Sequence, residues 1–209
     1  MRKYLSSRDA AGLWILSMAF FLGYCAGSSH AAAQDLELVP IVLTPELALA
    51  RVCASEADIQ ITDDCAAIHQ VLVRGARTRH IDFVTYAVMY ADSVFDGSGS
   101  RPWLMELDEE GSRPSRWPRM THRRVGGHIE VRPNTSWEGT YRARWLRLLG
   151  HARRIVAGHV RSACVLPPDH WGSPTLYSDR HRADRAMAQG VWVQIACGDT
   201  RNSFYRIAQ

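Results

Sequence analysis

The chain has almost no lysine and little net charge. It holds 25 basic and 21 acidic residues for a formal net charge of +4, and Lys3 is its single lysine. We attribute the arginine bias to genome composition, because so small a net charge gives no bulk attraction to a polyanion. Specific nucleic-acid binding is therefore not expected. Anionic surfaces such as cell wall or membrane stay open as partners.

Long hydrophobic runs are also lacking, with one exception at residues 13–26. That run follows a cationic start and precedes the alanines at 31–33, which are small enough for signal peptidase. We predict that residues 1–33 are a cleaved secretory signal. The alternative is a retained membrane anchor, for which the run is short, since about 20 apolar residues span a bilayer. A lipoprotein anchored through Cys25 is a weaker alternative, because bulky Tyr24 precedes it.

Residues 34–209 have the length and composition of one globular domain. Once the signal is removed, 22 basic residues face 20 acidic ones, because residues 1–33 take three of the 25 basic and one of the 21 acidic residues. The net charge falls to about +2 on that count. Bulk charge therefore identifies no partner.

No pair of cysteines has the spacing of two to four residues that forms a zinc knuckle. Four cysteines remain after cleavage, and an even set in an oxidising compartment usually pairs. Of the three connectivities we favour Cys53–Cys65, across a helical hairpin, and Cys164–Cys197. A zinc site and a catalytic thiol are the weaker alternatives, and we expect no metal and no cofactor.

The pattern of the mature chain is mostly helical. Thr44 before Pro45 and Glu46 combines a capping hydroxyl, a proline at the first helical position and an acid in the first turn. An apolar stripe that begins after Ser136 predicts the longest helix. The predicted elements are helices at 44–57, 63–74, 82–93, 136–158 and 182–189, strands at 128–131 and 191–195, a loop at 167–172, and an irregular lobe over 97–134.

Four local patterns occur in the order found in a known family. They are Ser55-Glu56-Ala57 at a helix end, residues 68–74, residues 152–158, and His170-Trp171 followed by the segment 202–205. The chain thereby resembles the lysozyme-like superfamily, in the cell-wall hydrolase group that includes spore-cortex lytic enzymes and muramidase-type lytic transglycosylases. The resemblance implies a mainly α, α+β fold: a single lysozyme-like domain with a small irregular or β lobe and two disulfides.

The resemblance also implies cleavage of the glycan strand of peptidoglycan, with Glu56 as the single catalytic acid and base. A glycosidic oxygen leaves poorly until it is protonated, so the acid must keep its proton near neutral pH, as a partly buried carboxyl does. A lytic transglycosylase needs no second carboxylate, whereas a hydrolase usually does. We favour the single acid, because the spacing selects none of Asp58, Asp63, Asp64, Glu106, Asp108 and Asp169.

Several other residues are candidates for binding the sugar. His170 and Trp171 would hydrogen-bond and stack on an acetamido sugar, or else form a loop whose tryptophan is simply buried. Asn202 and Tyr205 lie where related enzymes close the cleft, which predicts substrate binding or orientation of Glu56. Trp103 is a further candidate for substrate binding.

We expect the protein to be periplasmic or secreted and to contact a membrane only through an uncleaved signal. The main alternative is a disulfide-bonded wall-binding or assembly protein that keeps a lysozyme-like scaffold without activity, because fold does not guarantee function. A peptidase of wall cross-links that uses Cys53 or a histidine-bound metal lacks the expected spacing.

Overall fold

The computed structural model describes residues 42–57 and 59–208, apart from the side chains of residues 57 and 177. The predicted signal at residues 1–33 lies outside the described residues. No helix in the described part is long and apolar enough to cross a membrane. The helices are α1 Pro45–Ala57, α2 Asp64–Arg79, α3 Phe83–Tyr90, α4 Asp92–Phe95, α5 Arg142–Val156 and α6 Tyr177–Ala188. The strands are β1 Met120–Val125, β2 His128–Pro133, β3 His170–Gly172, β4 Trp192–Ile195 and β5 Ser203–Ile207.

Helix α1 is the central helix of the core. Its start is the predicted one: the hydroxyl of Thr44 accepts a hydrogen bond from the backbone N–H of Leu47 at 3.2 Å. Leu47, Leu49 and Val52 are fully buried, as are the alanines between and beside them. A helix that is apolar all round must be enclosed by its neighbours, and α2, α3 and α5 all pack against α1.

Helix α2 runs past Gly75, where the sequence predicted its end. The chain continues as helix to Arg79 and ends at His80, which adopts a left-handed conformation with φ of 55°. A Cβ atom at position 75 would overlap the phenol ring of Tyr86. Gly75 therefore permits close packing between helices and is not a helix stop.

The predicted helix at 82–93 is divided in two. Asp82 begins α3 as expected, because its carboxylate accepts a hydrogen bond from the backbone N–H of Thr85 at 2.9 Å. At Ala91 the backbone leaves helical geometry, with φ of −122° and ψ of 46°, before α4 begins at Asp92. The break turns the α3–α4 junction toward the end of α1.

The lobe between α4 and α5 holds a β-hairpin and a 3₁₀ helix, Pro102–Glu106. The predicted strand at 128–131 forms β2, which pairs antiparallel with β1, a strand the sequence did not suggest. Gly126 and Gly127 form the turn, with φ of 55° and 85°. Arg51 of α1 anchors the lobe to the core, since its Nε and Nη2 donate to the carbonyl of Leu107 at 3.0 and 2.6 Å.

Helix α5 is entered through a wide helical turn, Trp137–Tyr141. The rings of Trp137 and Trp145 are buried, as the apolar stripe predicted. Both rings bind the lobe through their indole N–H groups, Trp137 to the carbonyl of Gly111 at 3.2 Å and Trp145 to that of Asp108 at 2.7 Å. The apolar stripe of α5 therefore packs in the core and also holds the lobe through hydrogen bonds.

The C-terminal third forms a three-stranded antiparallel sheet of order β3-β5-β4. Strand β4 confirms the prediction at 191–195, whereas the loop predicted at 167–172 contains β3. Helix α6 begins at Tyr177, five residues before the predicted start. In β3 and β5, His170 faces Tyr205 and Trp171 faces Phe204.

Both favoured disulfide pairings are present. Cys53–Cys65 joins the end of α1 to the start of α2, and Cys164–Cys197 joins the segments that follow α5 and β4. Mixed helix and sheet with two disulfides is an α+β structure, as expected. The two bonds fit an oxidising compartment outside the cytoplasm.

Candidate functional site

A cleft of about 540 Å³ opens beside the end of α1. One wall is the α3–α4 junction, and the other is formed by β3, α6 and β4. Its lining comprises residues 55–56, 89–94 and 170–172 together with Asp179, Arg182 and Trp192. The structure thus brings three sequence-predicted site residues, Glu56, His170 and Trp171, into one cleft.

Glu56 is the penultimate residue of α1 and is partly buried in this cleft. Burial is the largest cause of a raised carboxyl pKa, and the nearby negative charges of Asp179 and Asp64 raise the pKa further. A hydrogen bond from the Trp171 side chain and the positive charge of Arg101 oppose them. Glu56 consequently keeps its proton to a higher pH than an exposed glutamate, which suits a general acid.

Trp171 joins the carboxyl of Glu56 to the opposite wall. Its ring stacks on that of Tyr90, with 4.5 Å between centroids and 28° between planes. The indole N–H can only donate, so the carboxyl oxygen of Glu56 is the acceptor of their hydrogen bond. Strand pairing with β5 fixes the position of Trp171 and thus of this contact.

His170 lies next to Trp171 and forms a second aromatic pair with Trp192, at 4.6 Å and 25°. Burial lowers the pKa of His170; Asp169 opposes this effect and Arg182 adds to it. The ring is therefore neutral around pH 7 and offers one donor and one acceptor nitrogen.

Five of the six carboxylates weighed as a second acid accept hydrogen bonds within the protein, and the sixth, Asp58, lies outside the described residues. Buried Asp64 accepts backbone hydrogen bonds from Arg201 and Asn202, each at 2.9 Å. Asp169 accepts from Arg74 at 2.8 Å and from the Ile207 backbone at 3.0 Å. The other three, Asp63, Glu106 and Asp108, accept backbone hydrogen bonds from Asp199, Ser115 and Ser112.

Asp179 is one of two carboxylates that share the cleft with Glu56, and the other is Asp92 of α4. Its Oδ2 accepts a hydrogen bond from the backbone of Ser173 at 3.1 Å. Gly172 makes room for it, since a Cβ on Gly172 would come 3.3 Å from the Cβ of Asp179. The sequence did not reveal Asp179, because the predicted start of α6 fell after it.

The three remaining predicted site residues do not line the cleft in the described part of the chain. Asn202 is buried, and its side chain donates to Asp64 at 3.2 Å. Tyr205 is buried behind Trp192, with 5.5 Å between ring centroids. The Trp103 ring packs in the core against the ring of Trp117, so Trp103 does not contribute to this cleft.

Sequence reasoning also missed Tyr90 and Arg182. Burial is the main reason that the pKa of Tyr90 rises to about 12. Its hydroxyl therefore stays protonated and can donate a hydrogen bond to a ligand. The sequence placed Tyr90 inside an unbroken helix at 82–93, whereas in the structure α3 ends at Tyr90 and this residue lines the cleft.

Residues 42–57 and 59–208 contain no cluster of three or more His, Cys, Asp or Glu side chains placed to hold a metal ion. The chain matches no protein-family model, no curated protein and no solved structure.

Proposed function

We propose that the protein is an exported enzyme of lysozyme-like type that cleaves the glycan strand of peptidoglycan, as a lytic transglycosylase. The single observation that carries the proposal is the position of Glu56. Its carboxyl is partly buried in a cleft, its pKa is raised, and it hydrogen-bonds a tryptophan that belongs to an aromatic wall.

Glu56 serves first as the acid. Its proton passes to the glycosidic oxygen while the bond from that oxygen to the anomeric carbon breaks, so the leaving sugar departs as a neutral alcohol. Trp171 stabilises the carboxylate that remains, because its hydrogen bond favours the charged form. The same contact positions the carboxyl for the next step.

Glu56 then serves as the base. Its carboxylate removes the proton from the C6 hydroxyl of the sugar that holds the anomeric carbon. The O6 atom then bonds to that carbon and closes a 1,6-anhydro ring. Glu56 regains its proton and no water is consumed. One carboxyl therefore suffices, while Asp179 helps to keep it protonated at the start of the cycle.

The aromatic pairs provide surfaces for a sugar. The C–H face of a pyranose ring is apolar and packs on aromatic rings, of which the cleft contains two stacked pairs, Tyr90 with Trp171 and His170 with Trp192. The neutral imidazole of His170 suits the amide of an acetamido group. In this proposal Asn202 and Tyr205 act indirectly, by holding Asp64 and Trp192.

The test is turnover of purified peptidoglycan by the wild-type protein and by Glu56→Gln. We expect the wild type to clear the suspension and to release anhydro-ended muropeptides, detected by mass spectrometry. Glu56→Gln should lose at least about a hundredfold in rate, the usual contribution of general acid–base catalysis. The matched control is Glu138→Gln, at an exposed glutamate that pairs with Arg113.

Reducing ends in the products would show that the protein is a hydrolase and not a lytic transglycosylase. Cut peptides would show that it is a peptidase and not a glycosidase. The same aromatic pairs also favour a second candidate, a wall-binding protein without activity. That candidate is correct if both proteins bind sedimented peptidoglycan equally and neither releases fragments.

A further inference from the structure

Arg182 places a positive charge on the wall of the cleft. It comes from α6, opposite the α3–α4 junction, and its charge acts on both Tyr90 and His170. Among residues 42–57 and 59–208, no carboxylate forms an ion pair with Arg182 within 4.0 Å. The guanidinium is thus available to a ligand in the cleft.

The same arginine lines a second depression, of about 390 Å³, which continues along α6. Its lining includes His181 and Arg185, whose side chains hydrogen-bond each other at 2.9 Å. At 100° per residue Asp184 lies about 200° around the helix from Arg182, on the other side. The cleft therefore leads into a cationic helix face.

The chemistry of the proposed substrate supplies a matching group. Acetamido sugars without lactyl groups, as in chitin, offer no anion to this face, whereas each peptide stem carries free carboxylates. Guanidinium groups bind carboxylates through two parallel hydrogen bonds, which gives both affinity and orientation. The stem begins on the sugar itself, so a sugar held beside Glu56 brings its stem to the cleft wall.

We propose that Arg182, extended by Arg185, binds a carboxylate of the peptide stem, so that the protein selects glycan that still carries its stems. This inference rests on the proposed function for the identity of the substrate. It assigns to α6 a role in specificity, while bond cleavage stays with Glu56.

The experiment measures binding rather than turnover. In a Glu56→Gln background, which leaves the ligands uncut, tryptophan fluorescence reports the Kd of short stem-bearing glycan fragments and of chitin oligosaccharides of the same length. Adding Arg182→Gln should weaken binding of stem-bearing fragments about tenfold, as loss of a charge-assisted pair does. Binding of the chitin oligosaccharides should not change, and Arg182→Lys should retain part of the difference.

Arg180→Gln is the matched control, because Arg180 is an exposed arginine of α6 that lies outside both depressions. The inference is wrong if Arg182→Gln leaves the affinity for stem-bearing fragments unchanged, or weakens both ligands by the same factor. It is equally wrong if the parent protein prefers the chitin oligosaccharides or binds neither ligand. Stem-dependent binding in a protein that never cuts glycan would sustain this inference and overturn the proposed activity.

Discussion

The ring of Trp171 stacks on that of Tyr90 at 4.5 Å while its side chain hydrogen-bonds the carboxyl of Glu56. One residue thereby connects the end of α1, the α3–α4 junction and the three-stranded sheet. The protonation of Glu56 accordingly depends on how the C-terminal third packs against the N-terminal helices.

Replacing Trp171 with Phe should shift the pH profile of activity. Phe can keep the stack on Tyr90 but donates no hydrogen bond, so the charged form of Glu56 loses support and its pKa rises further. The basic limb of the profile, where the acid loses its proton, should move upward by up to about one pH unit. Trp192→Phe is the control, and an unmoved limb in Trp171→Phe would count against the hydrogen bond.

Glu56→Gln should stabilise the fold at neutral pH. Because the folded pKa of Glu56 is raised, stability contributed by its proton is present below the unfolded pKa and is lost as pH rises through the folded pKa. Gln does not ionise, so the variant avoids the loss of stability that ionisation of the buried carboxyl causes. Each tenfold difference in proton affinity between the folded and unfolded states corresponds to about 1.4 kcal/mol. Urea unfolding should show a larger gain at pH 7.5 than at pH 4, and an equal gain at both would contradict the raised pKa.

Gly75→Ala should destabilise the protein. The added methyl would overlap the Tyr86 ring, and overpacking of this kind costs about 1–3 kcal/mol. In the matched variant Gly150→Ala, within α5, the new Cβ has nothing within 4 Å. That change should stabilise by about 0.5–1 kcal/mol, the helix-propensity difference. Equilibrium urea unfolding measures both, and equal effects would show that Gly75 is an ordinary helical glycine.

Asp64→Ala should cost about 3 kcal/mol, because it leaves the buried N–H groups around Asn202 without an acceptor. Asp184→Ala, on the exposed surface of α6, should change the free energy of unfolding by less than about 0.5 kcal/mol. Thermal and urea unfolding compare the two. A small effect at Asp64 would mean that water replaces the carboxylate.

Much of the local structure could be predicted from the sequence, because interactions between residues close together in the chain decide it. Thr44 begins α1 through its own hydroxyl, and the apolar stripe of α5 follows helical spacing regardless of what it packs against. The disulfide Cys53–Cys65 joins consecutive helices, so their order along the chain was enough to favour it.

Other elements were missed because they depend on contacts with another segment of the chain. In the sequence Gly75 predicts a helix end, whereas in the structure it lies within α2 and gives room to the ring of Tyr86. Strand β1 is polar and exposed, and only its pairing with β2 makes it a strand. The sequence suggested Trp103 as a sugar-binding residue, but its ring packs against that of Trp117 in the core.

The sequence by itself indicated the α+β class and favoured the observed pairing of the cysteines, because both depend on residue type and on order along the chain. The resemblance of its motifs to a known family selected Glu56, His170 and Trp171 as candidates. Only the tertiary structure placed those three in one cleft and added Asp179 and Arg182 to it. The physical reason is that the pKa of Glu56 depends on burial and on nearby groups, and two of those groups, Trp171 and Asp179, lie more than a hundred positions away along the chain.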